Sequence, residues 1–296
     1  MSGPAHCPYL VTSLWTLRKH WKGRVIVGCF SESQDVVARI GDDARLDIEV
    51  RPIHPPHRGR NDQFLAKIGF VRDLACGGFS SVAYLDADTT IHLDPVDLFL
   101  LAESRGFCAT QFNDWTTHHN AIKGRIESLR EFGLDGRIID DCLCRSHPSV
   151  NGGVFSASPE GKRVLNLWEA WTKRAMNTFI PDEKVLHLIA TANKIGILTG
   201  GRWNCSPKYQ PRHLKNEDIC IRHYHGDSNC RPAKSQRGWD LWRPIWVECL
   251  RENVGGCSKW WKICGNRWLP KLEKDFKSCE GWTSTGLGLS SPVIGS

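Results

Sequence analysis

Residues 81–99 read SVAYLDADTTIHLDPVDLF, and this stretch decides the fold. The mostly apolar run 81–85 predicts a short buried strand, and Asp86 and Asp88 follow where that strand ends. Residues i and i+2 of an extended chain face the same side, with Cα atoms roughly 7 Å apart, so both carboxylates can approach one cation. Such oxygen ligands favour Mg²⁺ or Mn²⁺ and leave positions free for substrate phosphates. The competing interpretation is two solvated acids in a turn, the commoner outcome for an isolated Asp-x-Asp pair.

Strands and helices are predicted to alternate around this stretch, from residue 10 to about residue 200. Leu10, Leu14 and Leu17 recur at helical spacing, and a Val-Ile-Val strand follows them. Further strands are predicted at 107–112 and 150–156, with amphipathic helices after them. This order predicts an α/β fold with a mostly parallel central sheet flanked by helices. Ligands of such sheets bind at the carboxyl ends of the strands, where the Asp-x-Asp pair is placed.

The bulk composition is that of an ordinary globular protein, with 296 residues of which 41% are hydrophobic and 24% charged. The net charge of +7 is spread among 32 acids without a block of like charges, which argues against a nucleic-acid partner. No apolar run reaches the roughly 18 residues of a membrane span, and Met1 to His6 do not form a signal segment. The 13 irregularly spaced cysteines favour reduced thiols, so we expect a cytoplasmic protein.

The segment 81–99, with its YLDAD strand end, acid-Pro turn and LF helix, resembles the metal-binding segment of GT-A-fold, nucleotide-sugar-dependent glycosyltransferases. It is most similar to the branch that includes glycogenin and bacterial galactosyl- and glucosyltransferases. The resemblance implies a Rossmann-like GT-A fold in which Asp86 and Asp88 hold Mn²⁺ or Mg²⁺ and Asp86 also contacts the donor. It implies transfer of a sugar from a nucleotide-diphosphate sugar, with a UDP-sugar favoured, to the hydroxyl of a carbohydrate or other acceptor. Retention of anomeric configuration is expected, because the nearest branch is a retaining one.

Three later segments agree with the same family in order and rough spacing. One of them, Arg202-Trp203-Asn204, is similar to the family's Trp-Asn turn, and a simple packed tryptophan is the alternative. Asn151-Gly152-Gly153 is similar to the strand that lies beside the donor sugar, and glycines let a backbone approach a ligand closely. A simple bulge is the alternative for this pair. Asp182-Glu183, after a proline, is similar to the segment that faces the reacting centre, where either acid would orient the sugar or the acceptor hydroxyl. The alternative is a pair of acids that complement a helix dipole.

A histidine completes the metal site in this family, within a motif that His223-Tyr224-His225-Gly226 resembles. The motif fits with either histidine as the ligand. We favour His225, because the adjacent Gly226 places a bare backbone next to the phosphates. Lys67 lies on the helix before the metal strand, where the family often has a basic residue pointing to the donor. A solvated surface lysine is the other interpretation of Lys67.

The resemblance covers residues 10–230 and departs from the family at both ends. The strand that cradles the nucleotide base in the family is predicted to be missing or very short here, because the first helix begins so early. We therefore predict a transferase domain at 1–235, a Trp- and Cys-rich helical extension at 236–282 and a loose tail at 283–296. The tryptophans of this extension, on helices expected at 239–252 and 258–268, are expected to cover the sheet. An acceptor platform or a peripheral membrane contact are the alternatives.

Three other functions compete with sugar transfer. The Asp-x-Asp-x-Thr pattern also matches phosphatases of the haloacid dehalogenase type, in which Asp86 would be the nucleophile and Asp88 the general acid. Those enzymes need a later Gly-Asp with a second acid, and only Gly226-Asp227 approaches it. A decayed transferase fold could bind sugar or nucleotide without catalysis. A zinc site would draw on one of two sets with irregular spacing: Cys142, Cys144 and His147, or Cys220, His223 and Cys230.

Overall fold

A computed structural model of the chain describes residues 7–30, 33–54, 61–225, 235–253 and 275. Helices and strands alternate through these ranges, as the sequence predicts. The α-helices are α1 Cys7–His20, α2 Gln34–Asp43, α3 Asp62–Cys76, α4 Val96–Arg105, α5 Asn120–Glu127, α6 Gly136–Cys144, α7 Lys162–Arg174, α8 Pro181–Ala192 and α9 Gln236–Glu252. The strands are β1 Ile26–Cys29, β2 Glu49–Pro52, β3 Val82–Leu85, β4 Thr89–Ile91, β5 Phe107–Thr116, β6 Pro148–Ala157, β7 Gly196–Leu198 and β8 Ile221–His223.

The strands form a four-stranded sheet in the order β3-β6-β5-β7 and two separate pairs, β1-β2 and β4-β8. The predicted α/β fold class is confirmed, but the sheet is mixed rather than mostly parallel. Strands β1 and β2, and β5 and β7, pair in parallel, whereas β6 runs antiparallel to both β3 and β5. The register pairs Thr116 at the end of β5 with Pro148 at the start of β6. Helices α5 and α6 therefore return the chain to the sheet at the end where it left, which reverses the strand direction.

Two strand pairings position the segment around the two acids. Leu85, the last residue of β3, is opposite Val154 on β6, and the backbone N–H of Asp86 donates to the carbonyl of Gly153 at 2.8 Å. After the turn, β4 pairs with β8 so that Thr89 is opposite His223. The turn at 86–88 is thus held between the glycine strand and the end of β8.

The tryptophans of α9 lie in the core. Trp242 and Trp246 are each 1% exposed, and Tyr9 of α1 packs edge-on against Trp242. The helix predicted at 239–252 is confirmed as α9, and it covers α1. These two buried rings leave no face for an acceptor sugar. The second helix expected at 258–268 and the tail at 283–296 lie outside the described residues.

Two further predictions concern membrane-spanning helices and the state of the cysteines. In the described part of the chain, no helix combines the length and apolarity needed to cross a bilayer. The nine cysteines whose placement is described are all free thiols. The expected shortening of the first strand falls on residues 1–6, which are not among those described.

Candidate functional site: an Asp-Asp-His centre

Three side chains converge beyond the carboxyl end of β3. Asp86, Asp88 and His223 each offer one ligand atom, and these atoms lie within 4.8 Å of one another. The Nε2 atom of His223 is 3.3 Å from Asp88 Oδ1 and 3.6 Å from Asp86 Oδ2. Two carboxylates and an imidazole form a donor set that suits Mn²⁺ or Mg²⁺.

The ring of His223 is oriented by Asn204. Its Nδ1 lies 3.0 Å from Asn204 Oδ1, an oxygen that can only accept, so Nδ1 carries the hydrogen. The amide nitrogen of Asn204 donates to Thr110 Oγ1 at 3.1 Å and is 3.3 Å from Asn151 Oδ1, which fixes the direction of the amide. The lone pair of Nε2 therefore faces the two carboxylates, as it must in a metal ligand.

The histidine in this centre is His223, whereas the sequence favoured His225. His223 is the last residue of β8, and its pairing with Thr89 brings it to the carboxylates. The strand ends there, and His225 has a positive φ of 52° that takes it out of the extended conformation. The ring of His225 stacks on that of His223 at 4.0 Å between centroids. The adjacent Gly226, predicted to contact the donor, is not part of the described chain.

Asp86 is a half-buried carboxylate with several compensating neighbours. The hydroxyl of Tyr84 donates to Asp86 Oδ1 at 2.6 Å. Burial raises the pKa of Asp86, and the charges of Lys67 and His223 only partly offset this effect. Burial alone would lower the pKa of His223, but the charges of Asp88 and Asp86 outweigh it and raise this pKa above its ordinary value. The two neighbouring carboxylates thus favour the binding of positive charge at this centre, and a divalent ion would supply it.

Lys67 and Asp182 form a buried ion pair beside this centre. Their Nζ and Oδ2 atoms are 2.5 Å apart, and the side chains are 11% and 2% exposed. Lys67 also donates to the carbonyl of Gly152 at 2.9 Å. Burial works to lower the pKa of Lys67, but the carboxylates of Asp182 and Asp86 raise it overall. Lys67 therefore points into the site, as one interpretation of the sequence has it, and remains charged there.

Glu183 is held by a residue that the sequence did not single out. Arg125 of α5 donates to Glu183 Oε1 at 2.6 Å, and Asn151 donates to Oε2 at 2.7 Å. The other end of the Asn151 side chain accepts from the backbone N–H of Gly153 at 2.8 Å. Burial raises the pKa of Glu183, and Arg125 opposes it. Arg125 and Glu183 are 58 residues apart in the sequence, and no local pattern marks Arg125 as part of a site.

The two glycines of β6 lie against the side chains of the centre. A Cβ on Gly153 would lie 2.2 Å from His223 Cε1 and 2.8 Å from Asp86 Oδ2. A Cβ on Gly152 would lie 2.9 Å from Asp182 Oδ2 and 3.1 Å from Lys67 Nζ. The sequence predicted that these glycines admit a ligand. In the fold, they also make room for the ion-binding and ion-paired side chains themselves.

Gly153→Ala is expected to lower the free energy of unfolding by about 1–3 kcal/mol, because the added methyl overlaps the His223 ring. It is also expected to weaken Mn²⁺ binding at least about tenfold by displacing a ligand. Thermal unfolding and Mn²⁺ titration measure the two effects. Gly124→Ala is the matched control, since its Cβ would meet nothing within 4 Å on helix α5. Equal behaviour of the two variants would contradict the close packing around Gly153.

The zinc sets have no counterpart in the described structure. The cluster of metal-binding side chains found among the described residues is Asp86, Asp88 and His223. Cys142 is buried in the core and Cys144 is exposed. Cys230, needed for the second set, and Asp227, needed for the phosphatase motif, lie outside the described ranges.

Comparisons with known proteins agree with this architecture. A scan of protein-family models finds no match to the chain, and neither does a search of curated proteins. Galactosyltransferase LgtC, crystallised with donor and acceptor sugar analogues, is similar with a TM-score of 0.55 and 15% identity over 82% of this chain and 94% of that one. Mouse xyloside xylosyltransferase 1 has a TM-score of 0.51 and 12% identity over 77% of this chain and 94% of its own. The bifunctional glycosyltransferase WbbM has a TM-score of 0.53 and 11% identity over 92% of this chain and 49% of its own.

These similarities define the class of the fold. All three proteins are glycosyltransferases, and the chain has the GT-A-like fold of nucleotide-sugar glycosyltransferases, as the resemblance of segment 81–99 implies. With an Asp-Asp-His centre beyond the end of β3, the chain combines this fold with three side chains that could hold a metal ion. At identities of 11–15%, the likeness establishes the fold.

Proposed function

We propose that this protein transfers a sugar from a nucleotide-diphosphate sugar, with UDP as the favoured nucleotide, to a hydroxyl of a carbohydrate or other acceptor. Mn²⁺ or Mg²⁺ held by Asp86, Asp88 and His223 is part of the proposal. One observation carries it: three suitable ligand atoms lie within 4.8 Å of one another at a strand end of a GT-A-like fold.

The reaction needs a group that stabilises the departing diphosphate. A bound divalent ion supplies positive charge that neutralises the leaving group as its negative charge develops. Asp86 and Asp88 would bind the ion, and Asn204 would keep Nε2 of His223 available to it. We assign the histidine ligand as His223 rather than His225, because Nε2 of His223 lies close to both carboxylates.

Asp182 is assigned to the donor sugar. Its Oδ2 is paired with Lys67, whereas its Oδ1 is buried and accepts no hydrogen bond within the described structure. A buried acceptor without a donor is unfavourable by about 1–3 kcal/mol, and a sugar hydroxyl would satisfy it. A Cβ on Gly152 would lie 2.9 Å from Asp182 Oδ2, so the glycine is what lets this carboxylate lie against the strand.

Glu183 has a more fixed environment than Asp182. Its two oxygens are both engaged, by Arg125 and by Asn151, and Asn151 in turn holds the backbone of Gly153. We assign Glu183 to holding the glycine strand in register beside the metal centre. Orientation of the sugar or the acceptor thus falls to Asp182. No side chain is assigned as a nucleophile, and retention of configuration remains part of the proposal from the resemblance.

The test is a panel of nucleotide sugars incubated with the protein in Mn²⁺ or in EDTA. We expect one or a few donors to release free nucleotide in Mn²⁺, with faster release when the right acceptor is added. EDTA should abolish the release. Metal-dependent binding of a donor without any turnover would instead identify a non-catalytic binding protein. Release of inorganic phosphate from a phosphomonoester, with no response to nucleotide sugars, would identify a phosphatase.

Mn²⁺ affinity is expected to increase as the pH rises through the pKa of His223. The charges of Asp88 and Asp86 outweigh burial and raise this pKa above its ordinary value, so competition between a proton and the ion for Nε2 extends to higher pH than for an ordinary histidine. The folding stability of the metal-free protein has the opposite pH dependence. Protonated His223 stabilises the two carboxylates at low pH, and this stabilisation is lost as the pH rises through the pKa of His223. Calorimetric Mn²⁺ titrations from pH 6 to pH 9 measure the effect. His223→Gln should flatten the profile, and an unchanged profile in that variant would exclude His223 as the titrating ligand.

A further inference from the structure

Four aromatic side chains form a continuous group outside the Asp-Asp-His centre. Phe112 and Trp115 of β5 pack edge to face, with ring centroids 5.2 Å apart. Tyr209 contacts both of them, at 6.4 Å from Phe112 and 4.9 Å from Trp115. His119 stacks on Trp115 at 3.7 Å, with the ring planes 8° apart. We call these four side chains the aromatic group.

A bulge in strand β5 carries two of these rings. The register of β5 against β6 jumps between Gln111 and Thr116, so the four residues 112–115 correspond to a single residue of β6. Asn113, inside the bulge, is fully buried and has a positive φ of 50°. Bulges are frequent next to functional sites, where they change the direction of a side chain. This bulge takes the two ring-bearing residues of β5 out of the alternating order of a regular strand.

Asn113 links the bulge to the segment that carries Tyr209. Its Oδ1 accepts from the backbone N–H of Ser206 at 2.9 Å. The backbone N–H of Tyr209 donates to the carbonyl of Ser206 at 3.1 Å, within the turn of the short 3₁₀ helix Pro207–Tyr209. Asparagine adopts a left-handed backbone more readily than most residues with a Cβ. Trp115 and Tyr209 therefore meet because two segments far apart in the sequence are joined at Ser206.

The aromatic group lies at the edge of the sheet where the Asp-Asp-His centre is found. Strands β3 and β5 both run antiparallel to β6, so their carboxyl ends share one edge. The ring of His225 lies 5.3 Å from that of Phe112 and stacks on His223 at 4.0 Å. Successive ring contacts thus lead from the centre to Tyr209. This places the aromatic group where a second substrate can lie next to a donor bound at the centre.

Tyr209 offers an open aromatic surface. It is 40% exposed, although it packs against two other rings, and Trp115 beside it is half-buried. The flanking residues Asp114 and Lys208 are exposed, and Lys208 Nζ lies 4.8 Å from the centroid of the Tyr209 ring. An aromatic face bordered by both an acid and a base suits a ligand with an apolar face and neutral hydroxyls around it. A pyranose ring has both features.

We infer that the aromatic group binds a neutral pyranose of the acceptor, with the apolar face of the sugar on Tyr209 and Trp115 as the adjoining wall. The acceptor is then a saccharide rather than a hydroxyl of a protein or a lipid. One exposed ring beside a half-buried one is far smaller than the roughly 800 Å² that each partner contributes to a standard protein interface. This inference rests on the proposed function, in which the Asp-Asp-His centre binds the diphosphate of the donor.

The test measures saccharide binding directly, by NMR saturation transfer to methyl glycosides of glucose, galactose and mannose in the presence of Mg²⁺ and UDP. We expect at least one glycoside to bind the wild type through protons on one face of its ring. Tyr209→Ala should weaken this binding about tenfold, the scale of one lost aromatic contact. Tyr209→Phe keeps the ring and should retain most of the affinity. Leu100→Ala is the matched control, since Leu100 is 56% exposed on helix α4.

Binding of none of the glycosides, or equal binding by the wild type and Tyr209→Ala, would overturn the inference. Tyr209→Gln removes the aromatic face but keeps much of the bulk, so the outcome does not depend on the folding of one variant. Turnover onto an acceptor without a sugar, at a rate that neither variant changes, would overturn the inference and leave the proposed function intact. Saccharide binding that depends on Tyr209, without consumption of any nucleotide sugar, would support the saccharide site and overturn the proposed function.

Discussion

Asp88→Asn is expected to lower kcat/KM for the working nucleotide sugar by about 10³-fold, which corresponds to about 4 kcal/mol of transition-state stabilisation. The substitution keeps the size of the side chain but removes the charge that faces Nε2 of His223 at 3.3 Å. With one anionic ligand fewer, the centre holds a divalent ion more weakly. The diphosphate then leaves with less electrostatic stabilisation. Released nucleotide and Mn²⁺ affinity are the two measurements, and both should decline.

Asp97→Asn is the matched control for this experiment. Asp97 is an exposed acid in the first turn of α4, so the same chemical change there should leave turnover and Mn²⁺ affinity nearly unchanged. Excess Mn²⁺ should partly restore the activity of Asp88→Asn, because the defect is in holding the ion. Equal nucleotide release by the wild type, Asp88→Asn and Asp97→Asn would refute the assignment of Asp88 as a ligand.

Lys67→Met is expected to lower the free energy of unfolding by roughly 3–5 kcal/mol, because it leaves the buried carboxylate of Asp182 without its partner. The methionine preserves most of the apolar stem, so lost packing contributes little. Denaturant unfolding in metal-free buffer measures this effect. The double variant Lys67→Met/Asp182→Asn removes both charges and should recover a large part of the loss.

Lys173→Met provides the comparison on the surface. Lys173 pairs with Glu169 at 2.8 Å within α7, and the lysine side chain is 55% exposed. Exposed pairs of this kind are worth about 0–1 kcal/mol. A loss at Lys67 no larger than that at Lys173 would mean that water screens the Lys67–Asp182 pair, contrary to its burial. Failure of the double variant to recover stability would mean that Lys67 acts through its packing.

The fold class and the two acids were predictable because both depend on short-range patterns. An apolar run that ends in Asp-x-Asp places two carboxylates on one side of an extended segment, whatever the rest of the chain does. The direction of the strands was harder to predict from the sequence. Alternation of helices and strands predicts a parallel sheet, but β6 returns antiparallel because α5 and α6 bring the chain back to the same sheet end.

The choice between the two histidines shows the limit of a local motif. His223 and His225 fit the same pattern, and only the pairing of β4 with β8 places His223 beside both carboxylates. Arg125 left no signal at all, since its meeting with Glu183 depends on how α5 and α8 pack.

The amino-acid sequence by itself determined the local chemistry of this protein: a strand that ends in Asp86 and Asp88, a glycine pair, and the acids at the start of α8. These features depend on residues within a few positions of one another, where backbone geometry alone decides which side chains share a side. Only the tertiary structure decided which side chains these residues contact. Whether Lys67 is paired or solvated, and which histidine reaches the carboxylates, depends on contacts between segments far apart in the chain, whose energies come from burial and charge pairing rather than from local spacing.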